Sequence, residues 1–344
     1  MDGRVIGGRT VICDEAIIDD RICIEDHSSR SHDRSPLGDI LKGLMNDPRE
    51  ISSRFFYDDR GSKLFDQICD LDEYYLTRTE TAILDDHANE IIHDVRDMDI
   101  IEFGSGSGDK ISILLRAMTL EQRTSIRYVP FDISYHALLD SARTLTKRFP
   151  ELTVHGVVGD FITEAHLIPP DRPKLFCFLG STIGNISREE SIRFMNGCAG
   201  FMDPGDSFLL GIDMVKDIDV LERAYNDNRG LTSDFNRNIL NSVNTHASTD
   251  FDPDVFEHIA FFNREKGRIE MHLRSTVDQI VSSPHLDVPI HVRKGELIHT
   301  ENSYKFTDGF IHAISAHSGL EIQNTYSDDQ GWFSLIHFRK GGES

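Results

Sequence analysis

Ile100–Ile101–Glu102–Phe103–Gly104–Ser105–Gly106–Ser107–Gly108–Asp109 is the stretch on which the fold turns. Ile100, Ile101 and Phe103 read as a buried strand. Gly104, Gly106 and Gly108 read as the tight turn after it, and KISILLR (110–116) as a helix. Glycines let backbone approach a ligand closely, so this order suits a nucleoside-type cofactor. Asp132, at the end of the next apolar run (YVPFDIS, 128–134), suits a ribose. Two cofactors compete. A dinucleotide sets its pyrophosphate on the helix N-terminus, usually with G-x-G-x-x-G. Here the glycines run G-x-G-x-G behind Glu102. S-adenosylmethionine (SAM) has no phosphate and carries an ammonium that a carboxylate can hold, so the acid favours SAM over NAD.

Outward from this stretch, strand and helix patterns alternate. Strands are expected at 99–103, 126–132, 153–158, 174–180 and 206–213, with helices between them. That is the signature of a parallel, doubly wound α/β sheet. Two runs near the end, from Gly319 and from Trp332, read as an antiparallel hairpin at one edge. Residues 216–304 break the alternation. Asp217–Asn226 and Thr232–Ser242 read as helices, and the runs from His258 and Arg268 as strands. An inserted second, α+β domain is therefore expected, with 37–78 and 216–304 on the substrate side. Residues 79–215 and 305–344 form the cofactor domain, and 1–36 an N-terminal extension. Short β-like runs occur near Val11 and Ile22, a polar linker at 27–36 and a helix from Leu37 to Asn46.

The chain has 344 residues, 39% hydrophobic and 27% charged, an ordinary globular balance with room for two domains. A formal net charge of -22 repels nucleic acid and anionic membrane surfaces. No run approaches a membrane span, and the first residues lack a signal-peptide core. Cys13, Cys23, Cys69, Cys177 and Cys198 are odd in number and form no C-x-x-C, which points to a reduced, cytoplasmic setting. The 16 histidines are scattered without ligand spacing, so no metal is expected. A monomer is expected.

Chemistry-bearing residues fall at strand ends, where open α/β sheets bind ligands. Asp160 can accept from an adenine amino group, with Phe161 as an aromatic contact; an Asp there is also a favoured cap. Asn185, in LGSTIGN (179–185), can hold an amine through its carbonyl and a carboxylate through its amide. If TENSYKF (300–306) is extended, Glu301 and Ser303 point to one side, a match for a ring with N–H groups. From spacing alone Lys110 reads as a surface residue of the first helix, and Tyr74, Tyr75 and Tyr225 as packing residues more readily than ligands.

FFYDDRGSKLFDQI (55–68), EYYLTRTE (73–80), EFGSGSGDK (102–110), YVPFDIS, LGSTIGN, AYNDNRGLTSDFNRNIL (224–240), IEMHL (269–273) and TENSYKF occur in order along the chain. Together they resemble the histidine-specific Nα-methyltransferase family, from about Phe55 to Lys340. The resemblance implies a Rossmann-like SAM-dependent methyltransferase sheet with an inserted second domain, and trimethylation of L-histidine to hercynine on the path to ergothioneine. It implies SAM contacts at Tyr57, Gly104, Lys110, Asp132, Asp160 and Phe161. It implies histidine contacts at Tyr74, Gly180, Asn185, Tyr225, Met271, Glu301 and Ser303. Asn185 and the tyrosines would hold the amino and carboxylate groups, with Asn185 and Tyr74 nearest the chemistry, while Glu301 and Ser303 bind the imidazole beside Met271. Tyr75 stands as the alternative to Tyr74. Gly180–Ser181 replaces a family Gly–Gly pair. A related enzyme for another amino acid or aromatic amine, and a catalytically silent SAM-fold module, remain alternatives.

Overall fold

The computed structural model describes residues 4–6, 9–11, 14–27 and 36–342, with side chains for 20–27 and 36–342. The linker expected at 27–36 falls almost wholly outside the described residues, as does Cys13. The chain begins with two antiparallel hairpins, β1 (Arg4–Ile6) with β2 (Arg9–Val11) and β3 (Asp14–Asp19) with β4 (Ile22–Asp26). There follow α1 (Pro36–Met45), β5 (Arg49–Glu50), α2 (Asp59–Cys69) and α3 (Tyr75–Ile91). The alternating region comprises β6 (Asp99–Phe103), α4 (Asp109–Ala117), α5 (Leu120–Ser125), β7 (Arg127–Asp132), α6 (Tyr135–Arg148), β8 (Thr153–Val158), β9 (Lys174–Phe178), α7 (Arg188–Gly200) and β10 (Ser207–Asp213). Next come α8 (Ile218–Ala224), α9 (Leu231–Ala247), β11 (Phe256–Asn263), β12 (Arg268–Ser275), β13 (Gln279–Val281), β14 (Ile290–Val292) and β15 (Leu297–Tyr304). The chain closes with α10 (Asp308–Ser318), β16 (Leu320–Ser327) and β17 (Phe333–Lys340).

Nine strands make the main sheet, in the order β16-β17-β10-β9-β6-β7-β8-β4-β3. The chain leaves β6 toward β7 and β8, then returns to the other side of β6 through β9 and β10. The order therefore reverses at β6, and the crevice between β6 and β9 is the sheet's switch point. β17 runs antiparallel between β10 and β16, forming the expected edge hairpin. The N-terminal segment is more than an extension. β4 pairs in parallel with β8 from Ile22↔Val154 to Asp26↔Val158, and so lengthens the sheet beside Asp160.

Side-chain alternation puts a core on each face of this sheet. Ile100 packs into one with Tyr128, Val154 and Leu175; Ile101 and Phe103 pack into the other with Phe131, Phe176 and Phe208. A separate third core gathers Phe56, Phe235, Ile239, Met271 and Leu273 from the segments 40–76 and 221–298. Its sheet has the order β11-β12-β15-β5. Asp58 ties its parts together, accepting from Gly61 N–H (2.6 Å) as the N-cap of α2 and from Asn238 Nδ2 on α9 (2.8 Å).

The third core meets the main sheet at its C-terminal edge. Phe306 N–H donates to Asp213 O (2.8 Å) and Val215 N–H to Phe306 O (2.9 Å). A Cβ on Gly184 would lie 2.9 Å from Tyr304 O, so only glycine lets the end of β15 press on the turn after β9. β9 stops at Phe178, short of the expected 180, because Gly180 and Ser181 both take left-handed backbone (φ 79° and 55°). Among the described residues no helix is long and apolar enough to cross a membrane.

Candidate active site

The glycine turn lies at the switch point. Gly104, Gly106 and Gly108 have φ of 66°, 50° and 75°, which side-chain-bearing residues adopt only under strain. A Cβ on Gly108 would strike Ser141 Oγ at 2.4 Å, whereas Gly106 faces open space. Asp132 closes the turn, accepting from Gly106 N–H (3.3 Å) and Ser134 N–H (3.0 Å), and burial raises its pKa. Phe161 packs on Phe103 and Phe178, both at 5.4 Å between ring centres, and lies 3.9 Å from where a Gly104 Cβ would be. Asp160 Oδ1 accepts from Ile162 N–H (3.0 Å), so the capping role is present, on a turn rather than a helix. Tyr57 comes from the third core, 39% exposed, edge-on to Phe65 and Phe235.

Glu102 differs from expectation. It is the penultimate residue of β6, 3% exposed, and its carboxyl is bonded to Tyr128 OH. Burial pushes its pKa up to about 8, so at neutral pH it brings little negative charge to the turn. The ionic contact there belongs to Glu80, which is fully buried on α3. Its carboxylate accepts from Gly180 N–H (2.8 and 2.9 Å) and pairs with Lys110 Nζ (2.6 Å). Lys110 is thus no idle surface residue: it and Glu80 tie the first glycine turn to the turn after β9.

On the other side of the cleft, β15 is extended, and Glu301 and Ser303, with Lys305 just past its end, alternate to one side. Met271 is the cross-strand partner of Glu301 on β12 and is 1% exposed. The Glu301 carboxylate has no hydrogen-bond partner among the described residues. Burial raises its pKa to about 7, against the pull of Lys305. It lies within electrostatic range of the hydroxyls of Tyr57, Tyr74 and Tyr225. The rings of Tyr74 and Tyr225 meet at 6.2 Å, nearly perpendicular. Burial lifts the Tyr74 pKa well above its usual value, so the phenol keeps its proton. Tyr75 is engaged elsewhere: its hydroxyl donates to Asp213 (2.8 Å) and its ring packs on Trp332. Of the adjacent pair, Tyr74 is the one beside Tyr225 and Glu301. Asn185 is half-buried at the end of the turn that β15 presses on, its side-chain amide unbonded among the described residues. Ser181 Oγ accepts from Asp213 N–H (3.0 Å), so the extra hydroxymethyl is turned away into the fold.

Known proteins with related sequences bear on this arrangement. The histidine-specific, SAM-dependent methyltransferase family matches residues 37–340. The chain belongs to that family. A histidine N-alpha-methyltransferase of Mycobacterium tuberculosis is 41% identical over 86% of this chain and 92% of its own. One from Mycolicibacterium smegmatis is 40% identical over 86% and 92%. Ergothioneine biosynthesis protein 1 of Neurospora crassa is 30% identical over 85% of this chain but 34% of its own, much longer, sequence. For a histidine-specific methyltransferase the main sheet is the Rossmann-like methyltransferase sheet, and SAM is the methyl donor.

Three buried charges of this methyltransferase escaped the sequence reading. Glu80 closes the EYYLTRTE motif but looks like a surface helix residue. Asp213 ends the fifth parallel strand, a position the strand-end rule covers. Lys305 follows Ser303 by two in an extended run, so the alternation that paired Glu301 with Ser303 also reaches it; lysine's usual exposure hid it.

Proposed function

We propose that this chain transfers three methyl groups from SAM to the α-amino group of L-histidine, giving hercynine, as a cytoplasmic monomer. Supporting a reduced setting, Cys69, Cys177 and Cys198 are free thiols. The observation that carries the acceptor reading is Glu301: an unbonded carboxylate next to Ser303 and opposite Met271, suited to an imidazole N–H. The donor side fits SAM. The open face at Gly106 leaves room for a ligand against backbone, Asp132 offers a carboxylate for ribose hydroxyls, and Phe161 offers a face for adenine.

SAM supplies a methyl group already activated on a sulfonium, so the chain's task is placement. In this reading Tyr57, Gly104, Lys110, Asp132, Asp160 and Phe161 hold the donor, and Asn185 and Tyr74 orient the amine lone pair. Orientation alone accounts for up to about 7–11 kcal/mol of a barrier. Tyr74, held protonated by its surroundings, orients the amine and is not the base; the amine proton leaves to solvent. Gly180, Tyr225, Met271, Glu301 and Ser303 complete the acceptor pocket. Incubation with SAM and a mixture of amino acids, read by mass spectrometry, is the test. Three methyls on histidine alone are expected; another amino acid carrying them overturns the acceptor reading.

A further inference from the structure

Lys305 has no place in that binding set, yet it is fully buried with three partners. Its ammonium pairs with Asp213 Oδ2 (2.8 Å) and donates to Ser303 Oγ (2.8 Å) and Tyr225 OH (3.1 Å). An ammonium has three donors and no acceptor, so all its hydrogen bonds are spent on the protein. Asp213 is shared: its other face receives Lys216 and Tyr75 OH, while Lys216 also contacts Met214 O. Burial alone lowers the pKa of Lys305, but Asp213 and Tyr225 outweigh it and keep the group a cation.

The consequence falls on Ser303 and Tyr225. Tyr225 OH donates to Ser303 Oγ (2.8 Å). Ser303 Oγ then accepts from both Lys305 and Tyr225, which fills its lone pairs and leaves only its own proton. With the bond in this direction Ser303 can only donate outward. Glu301, two residues back on the same side of β15, is the opposite: when ionised it only accepts.

We infer that Lys305 is a specificity-determining positioning residue: it fixes Ser303 as a hydrogen-bond donor, so that with Glu301 as acceptor the pocket takes a neutral azole bearing one N–H and one bare ring nitrogen. This rests on the reading of Glu301 and Ser303 as the ring-binding pair. An imidazolium, with two N–H groups, sets a donor against a donor. An indole or phenol ring leaves the outward O–H without a partner in a buried place, which costs affinity.

Two amino-acid probes separate the halves. A pyrrolylalanine keeps an N–H and lacks the bare nitrogen; a thiazolylalanine keeps a bare nitrogen and lacks the N–H. In the wild-type protein each should show kcat/KM at least ~10-fold below histidine, one lost hydrogen bond in a buried site. Lys305→Met should erase the preference of histidine over pyrrolylalanine, mainly through KM, and leave SAM affinity and the preference over thiazolylalanine intact. Lys305→Gln retains N–H donors and should keep both. A Met variant that binds SAM and keeps both preferences overturns the role of Lys305 alone. A wild-type protein that methylates histidine and both probes alike overturns the ring-binding reading, and this inference with it. NMR of isotopically labelled ring nitrogens in the wild-type complex with histidine and S-adenosylhomocysteine needs no variant to fold. One protonated and one bare nitrogen are expected; two protonated nitrogens overturn the inference.

Discussion

At the β6 turn, Gly104, Gly106 and Gly108 offer left-handed backbone, with open space at Gly106; at the end of β15, Glu301, Ser303 and the following Lys305 offer side chains, the last two held by other side chains. A ligand side made of backbone is specified by local sequence, because positive φ and the absence of a Cβ are properties of single residues. A side made of buried charges is specified only when distant segments meet: Lys305 acts through Asp213 and Tyr225, and Asp213 through Tyr75 and Lys216. In the proposed site, the half at the β6 turn is therefore set by local sequence and the half at β15 is tuned residue by residue.

That contrast breaks most visibly at Glu301. Glu301→Ala should lower kcat/KM for histidine by about 100-fold or more, since a buried charge-assisted partner is lost, while SAM affinity stays within about twofold. Steady-state kinetics alongside calorimetric titration of SAM check it; parallel losses of both would mean the halves are not independent. Asp132→Ala is the mirror case. SAM affinity should fall about 10- to 100-fold, with little change in histidine affinity once SAM is saturating.

A subtler effect concerns protons. Without ligand, Glu301 has a pKa raised to about 7, so near that pH the carboxyl is roughly half protonated. An imidazole N–H favours the ionised form and pulls the pKa down. Binding at pH 6–7 should thus release close to half a proton or more from this group, fading as pH rises above about 8. Calorimetry in buffers of different ionisation enthalpy measures this, and Glu301→Gln should abolish it. The smallest effect is expected at Ser181. Ser181→Gly removes left-handed strain of about 1 kcal/mol and loses the bond from Asp213 N–H, worth about the same. Its melting temperature should stay within a few degrees of wild type.

The β6 turn was legible because a strand, three glycines and Asp132 follow one another closely. The alternation over 99–213 exposed the parallel strands for the same reason. The acceptor half was legible only in part. Period-two alternation paired Glu301 with Ser303, but nothing in the sequence alone says that β15 lies against Gly184, or that Tyr74 and not Tyr75 faces the cleft. Glu102 misled because an acid beside a glycine turn reads as a ligand group, while its position on β6 aims it at Tyr128. The pairing of β4 with β8 was hidden too, since strand partners far apart in sequence leave no local signal.

The junction at Asp213 also has a bearing on how the protein assembles. Tyr75, Asp213, Lys216, Tyr225, Ser303 and Lys305 are brought together, the hydrogen bond from Lys216 to Tyr75 alone spanning 141 residues. Contacts so far apart close late, because the loop entropy must be overcome before they give anything back. In refolding, binding of SAM at the β6 turn should therefore return before histidine turnover does. Recovery of turnover then reports the closing of the junction at Asp213.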